Sequence, residues 1–397
     1  QRSNESFCSK VNKKAFTRKE TCSRAPVSTI KEPNGGPPMS KPLYDDKPAR
    51  TAPVERQSPS AEILDLARRL PRGLYLGTDG WADTRWRGLI FSESSGTDRL
   101  FTYGLTPYSR HPLLKTVAIP WVKSGYRESE WLRFLSSVDE TFRFILPLPH
   151  PSLDPMLRNP KGMGVGENEH FLRFSPDEWI TPLITPIQML GRQLGPVVLR
   201  LGEFDRGLVK RFVRQGDLIT RIEAYLGEVK EFLHASGFEG VLGFEIQNGE
   251  WLTPRLMKAL KGFQIRPVLR LSLGLPGLLR QQQALAYWET EKREERPIWT
   301  PTGPLLIHWA GSPSLMLSYR KLDAKTLVAS DPVTRAMMVM LIEKTLAEGK
   351  NAWLWVANRA EGSAPLTLQA IADEIISRRQ NTVSYTHLRA PTRRRGI

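Results

Sequence analysis

From residue 61 to residue 380 the chain alternates short, continuously apolar runs with longer stretches whose apolar positions recur at helical spacing. The short runs fall at 74–78, 115–119, 142–148, 196–201, 241–246, 265–271, 305–309 and 352–357. The helical stretches fall at 60–70, 128–138, 176–194, 217–235, 253–261, 276–292, 331–348 and 365–378. Ser175-Pro176, Thr253-Pro254 and Asp331-Pro332 each set a capping residue before a proline, which predicts helix starts. Strands separated by helices pair in parallel, and runs that are apolar at every position are covered on both faces. The chain therefore reads as an α/β protein, a TIM-type (β/α)8 barrel of parallel strands. An open doubly wound sheet is the rival. It requires G-x-G-x-x-G after the first strand, and Gly77-Thr78-Asp79-Gly80-Trp81 does not match. Two long connections, 150–168 (rich in Pro and Gly) and 288–304 (highly charged), are expected at the rim where barrels carry their sites.

Outside that body the pattern is lost. Residues 1–60 are rich in Ser, Thr, Lys, Arg and Pro and predict a disordered N-terminal tail. Met39-Ser40 makes a natural start, so residues 1–38 are expected to be leader sequence. Residues 383–390 resemble translated sequencing-adaptor read-through, so 381–397 are expected to be a non-native or disordered basic tail. One barrel domain over 61–380 remains.

Charge changes this picture less than its total suggests. Of the formal +16, residues 1–60 carry +6, residues 381–397 carry +4 and residues 61–380 carry +6. A nucleic-acid footprint clusters on the folded surface, so nucleic acid stays a minor partner class. Both cysteines, Cys8 and Cys22, lie in the tail, leaving the body without a disulfide framework or a thiolate metal site. A reducing, cytoplasmic setting is expected. No stretch of the sequence reaches the roughly 18 consecutive apolar residues of a membrane span, so no membrane partner is expected.

Polar groups at the ends of apolar strands carry the candidate chemistry, because a barrel builds its sites there. Glu245 closes the run 241–246. Burial there raises a carboxyl pKa and suits acid–base work, whereas pairing with Arg200 or Arg270 makes it structural. Arg200 and Arg270, each inside a strand, are fitted to clamp a carboxylate or phosphate. His308 sits late in its strand, as a base, a donor or a hydrogen-bonded core residue. Trp81, Trp86, Trp121, Trp251 and Trp309 fall near strand ends, where their faces either stack a ligand or fill the core. Gly162-Met163-Gly164-Val165-Gly166 mimics a phosphate loop but follows Pro160-Lys161 rather than a strand, and reads as a flexible rim loop. The body's histidines (His111, His150, His170, His234 and His308) show no H-x-H or H-E-x-x-H spacing, and no metal or cofactor is expected.

Seven short motifs follow one another along the body. They are Gly77-Thr78-Asp79-Gly80-Trp81 with Trp86-Arg87-Gly88; Thr116-Val117-Ala118-Ile119 with Trp121; Phe142-Arg143-Phe144; Leu194-Gly195-Pro196-Val197-Val198-Leu199; Phe244-Glu245 with Trp251; Ile307-His308-Trp309-Ala310-Gly311; and Asn358 with Glu361-Gly362-Ser363-Ala364-Pro365. In this order, over about 75–380, the chain resembles the YecE-like family, domain of unknown function 72, whose fold is of the TIM-barrel type. The resemblance marks Asp79, Trp81, Trp86, Asn358 and Glu361 as ligand-binding candidates beside Arg200 and Arg270. It also exposes departures. Asp79 replaces the family's Ser, Ala118 its Glu and Pro120 its Asn; Gln247 and Asn248 fill its Arg-His pair, and Ala310 fills its last His. An alanine neither moves a proton nor holds a metal. The expectation is a divergent member that has lost much of the family's polar rim and binds an anionic small molecule or nucleotide-like ligand at the carboxyl rim. Two alternatives stand beside it: a metal-independent hydrolase or acid–base enzyme using Glu245 and His308, and a nucleic-acid-binding protein. The sequence leaves open whether there is a reaction at all, and it leaves the oligomeric state unknown.

Overall fold

The computed structural model describes residues 53–122, 124–159, 161–289, 299–315 and 323–388, with side chains as far as residue 380. The tail expected over 1–60 lies outside the described residues as far as residue 52, together with Cys8 and Cys22. So do 389–397 and the charged run beyond Glu289.

Among the described residues there are eleven strands: β1 Leu74–Asp79, β2 Thr116–Ala118, β3 Arg143–Leu148, β4 Met156–Arg158, β5 Gly164–Glu167, β6 Leu194–Arg200, β7 Leu242–Glu245, β8 Arg266–Pro267, β9 Leu269–Leu271, β10 Leu305–Trp309 and β11 Ala352–Val356. Nine of them form one parallel sheet in the order β8-β7-β6-β3-β2-β1-β11-β10-β9. The sheet is a nearly closed barrel with helices around it. Its two ends meet in one stretch of chain. Residues 265–271 read as a single strand in the sequence, but Pro267 has no N–H for a ladder, and the stretch divides there. Its first half pairs with β7, Val268 N–H donating to Phe244 O at 2.9 Å, and its second half pairs with β10.

Alternation along the strands separates two apolar layers. Leu76, Val117, Phe144, Val197, Leu199, Phe244, Ile307 and Leu354 face outward into the main core beneath the helices. Ala118, Ile145, Val198, Val268, Leu306, Trp353 and Trp355 fill the barrel interior, with Tyr75 and Val241 packed against them. Tyr75 lies flat on Trp353, ring centroids 4.0 Å apart. The indole fits because position 195 is glycine: a Cβ there would sit 2.9 Å from the Trp353 ring.

The capping signals at Thr253 and Asp331 are realised. Thr253 accepts from Leu256 N at 3.2 Å, and Asp331 from Thr334 N at 2.9 Å. Ser175 makes no such bond, and the helix expected over 176–194 is broken. Pro182 and Pro186 remove two N–H groups; the chain runs as helix Pro176–Trp179, a π-helical turn Ile180–Ile184, and helix Thr185–Leu190. The C-terminal helix is longer than expected, Ala364–Leu388.

Three helices, Thr97–Tyr103, Leu105–Ser109 and Arg206–Gln215, went unread in the sequence. Residues 53–60, assigned to the tail by composition, pack on the body. Val54 is buried, Arg56 bridges to Phe91, and Ser60 caps the helix Ala61–Arg69. The Gly-rich segment 162–166 contributes to an antiparallel hairpin, β4 with β5, on the carboxyl side of β3. The second long connection lies outside the described residues over 290–298; at its described ends Arg266 Nε donates to Pro304 O at 2.9 Å and Arg266 pairs with Glu289 at 2.6 Å. Among the described residues no helix is long and apolar enough to cross a membrane.

Candidate functional site

The inner face of the barrel changes character at the carboxyl ends. Two residues beyond Val198, Val268 and Leu306 stand Arg200, Arg270 and His308, and two beyond Gly243 and Gly77 stand Glu245 and Asp79. The period of two keeps all five on the inner face, one layer above the apolar filling. Strand register then sets Arg200 beside Glu245 and His308 beside Arg270.

Glu245 is the hub and is fully buried. Its Oε1 lies 2.7 Å from Arg200 Nε, not aligned for a hydrogen bond, and accepts from Arg270 Nη1. Its Oε2 lies 2.8 Å from His308 Nδ1. Burial alone would raise the Glu245 pKa, as the sequence suggested. The charges of Arg200 and Arg270, with the hydrogen bond from His308, outweigh burial and hold the carboxyl well below the usual carboxylate range. Glu245 is therefore an ionised anchor and not a protonated acid.

His308 is equally enclosed, 1% exposed, and stacks on Trp355 at 4.9 Å. Burial pushes its pKa below the ordinary imidazole value, against the pull of Glu245. Arg270 Nη1 also stands 3.2 Å from Nδ1. Nδ1 cannot be a lone pair 2.8 Å from a carboxylate oxygen, so it carries the proton and donates to Glu245. The other nitrogen, Nε2, is then a lone pair. It has no hydrogen-bond partner among the described residues and stands 3.8 Å from Asp79 Oδ2. Arg270 is fixed in turn by Ser272 Oγ, which accepts from its Nε at 3.2 Å.

Beside this layer opens a cavity of about 690 Å³. The loops after β6, β7, β9, β10 and β11 wall it, so it sits at the carboxyl rim. Arg206, Lys210, Arg270 and Arg359 face it, against Glu203 and Glu250. Sequence reasoning missed all of these but Arg270. The signal for two of them was present: Asp205 before a basic stretch, which caps the helix Arg206–Gln215 by accepting from Leu208 N at 2.8 Å. Gln247 and Asn248 hold the loop after β6. Gln247 Nε2 donates to Leu201 O at 3.2 Å, and Asn248 bonds both backbone groups of Phe204. Ala310 lines the cavity without a polar group, and Ala118 belongs to the barrel filling.

The remaining candidates stand apart from this cluster. Trp81 is fully buried and donates to Phe101 O at 3.2 Å. Trp86 is buried and donates to Asn358 Oδ1 at 3.0 Å. Asn358 also accepts from Ala364 N at 2.7 Å and donates to Asp83 Oδ2 at 2.7 Å, tying the opening loop to the last helix. Glu361 is buried, accepts from Asp331 N at 2.5 Å and pairs with Arg335. Trp251 and Trp309 are buried, and Trp121 is half-buried. His150 hydrogen-bonds Ser152 and stacks on Trp179, away from His308. Among the described residues no group of three or more His, Cys, Asp or Glu converges as a metal site.

No family model matches the chain, and no curated protein matches it. Solved structures do. A DUF72 family protein from Thermotoga maritima is 13% identical with a TM-score of 0.45, over 76% of this chain and 98% of its own. A DUF72 family protein from Enterococcus faecalis is 15% identical with a TM-score of 0.45, over 76% of this chain and 97% of its own. The chain is similar to both over 76% of its length.

Proposed function

We propose that this barrel binds an anionic small molecule in the cavity at its carboxyl rim. The observation that carries the reading is the lining: four cationic side chains, Arg206, Lys210, Arg270 and Arg359, against two carboxylates around about 690 Å³. That volume suits a small organic ligand, for which pockets run roughly 300–1,000 Å³. Guanidinium groups there engage carboxylate or phosphate oxygens by charge-assisted hydrogen bonds. Arg270 joins the cavity to the Glu245 network, which holds its guanidinium in place before a ligand arrives. The loss of polar groups at Ala118, Pro120 and Ala310 leaves recognition to this basic wall.

The test is isothermal titration of the full chain with ethyl phosphate at low and high salt. Binding that weakens with salt and falls about tenfold or more in Lys210→Glu is expected. Absence of binding, or binding indifferent to Lys210→Glu, refutes the reading.

A further inference from the structure

In the layer that Arg270 joins to the cavity, one buried acceptor has no partner among the described residues. His308 is 1% exposed, its Nδ1–H is committed to Glu245, and its ring is clamped against Trp355. Nε2 therefore presents a fixed lone pair, with no hydrogen-bond partner among the described residues. A buried acceptor left unmatched is costly. What it faces is a second acceptor, the carboxylate of Asp79, 3.8 Å away and 38% exposed at the end of β1. Two acceptors that face one another call for donors from outside the protein.

The charge of the layer says which donors. Arg200 and Arg270 already balance Glu245 and Asp79, and His308 is neutral. A further cation would be set near two guanidiniums, so neutral donors fit better than an ammonium. A pair of hydroxyl groups supplies one hydrogen to Nε2 and one to Asp79, and one bound water is the simplest version of the same arrangement. We infer that His308 Nε2 and Asp79 form a hydroxyl-recognising subsite of the barrel mouth, so that the ligand is a polyhydroxylated organic anion such as a sugar phosphate or sugar acid. This rests on the anion-binding reading of the adjoining cavity. Arg270 links the two parts, since it lines the cavity and pairs with the same Glu245 that orients His308.

Three probes that share a phosphate monoester separate the possibilities: ethyl phosphate (no further donor), glycerol 3-phosphate (two hydroxyls) and phosphoethanolamine (an ammonium). The subsite predicts that the full chain binds glycerol 3-phosphate about tenfold or more tighter than ethyl phosphate. In Asp79→Asn and in His308→Gln the ratio of glycerol 3-phosphate affinity to ethyl phosphate affinity should fall toward one, whatever either change does to phosphate binding itself. Nitrogen-15 NMR of histidine-labelled protein gives a second readout that does not depend on a variant folding. His308 should appear as a neutral ring protonated on Nδ1, and glycerol 3-phosphate, unlike ethyl phosphate, should move its Nε2 resonance. Equal affinity for the two, preference for phosphoethanolamine, or a proton on Nε2 in the free protein overturns the inference while leaving the anion site standing. Failure of all three phosphates to bind overturns both.

Discussion

Replacing Glu245 by Gln keeps the volume and one acceptor but removes the negative charge that pairs with both Arg200 and Arg270. Glu245 is 0% exposed, while Arg270 and Arg200 retain 12% and 19% of their side-chain surface. Removing one member of a buried ion pair costs roughly 3–5 kcal/mol, because the partner is left uncompensated. The two guanidiniums regain some hydration through their exposed fraction, so the lower end applies, about 3 kcal/mol. His308 loses its anionic acceptor at the same time, and its ring is no longer held to one tautomer. Urea unfolding of parent and variant, compared at an unchanged slope, measures the cost. A triple replacement with Glu245→Leu, Arg200→Leu and Arg270→Met should cost less than Glu245→Gln alone, since apolar side chains of similar size leave no orphaned charge. A Glu245→Gln variant within about 1 kcal/mol of the parent would show that the network does not hold the barrel mouth together.

Two further outcomes follow from buried groups elsewhere. His111 is 8% exposed, and burial, with Arg56 and Lys115 nearby, lowers its pKa from 6.5 to about 4. Between those values the unfolded chain binds a proton that the folded chain refuses, so stability should fall as pH drops from 6.5 toward 4, by on the order of 3 kcal/mol from this residue. His111→Gln should flatten that part of a urea stability–pH curve, and an unchanged slope would refute the assignment. Trp353→Ala removes the partner of Tyr75 and leaves a void beside Gly195, at a cost of about 3–5 kcal/mol in the same assay; a loss below about 1 kcal/mol would mean the interior collapses to fill it.

The barrel was legible because its strands are apolar on both faces, a pattern that survives without any knowledge of partners. Its seam was not, because the division at Pro267 depends on which neighbour each half of 266–271 meets. The helix Arg206–Gln215 went unread for a related reason: only Leu208 and Phe212 are buried among Arg and Lys, too thin an apolar stripe for periodicity to register. With it went Arg206 and Lys210, and so half of the cavity's cations. The mouth layer was readable in outline, since Arg200, Glu245, Arg270 and His308 lie at strand ends. That Glu245 joins the other three, and that its pKa falls and does not rise, depends on cross-strand register. The tryptophans show the opposite limit. Trp86 meets Asn358, 272 positions away, and spacing along the chain carries no trace of that bond.

The flat contact of Tyr75 on Trp353 gives the barrel a floor. With Trp355, Leu306 and Val198 above it, the interior is filled by side chains at that level. A ligand bound as proposed at Asp79, His308 and Arg270 would exchange from the carboxyl side.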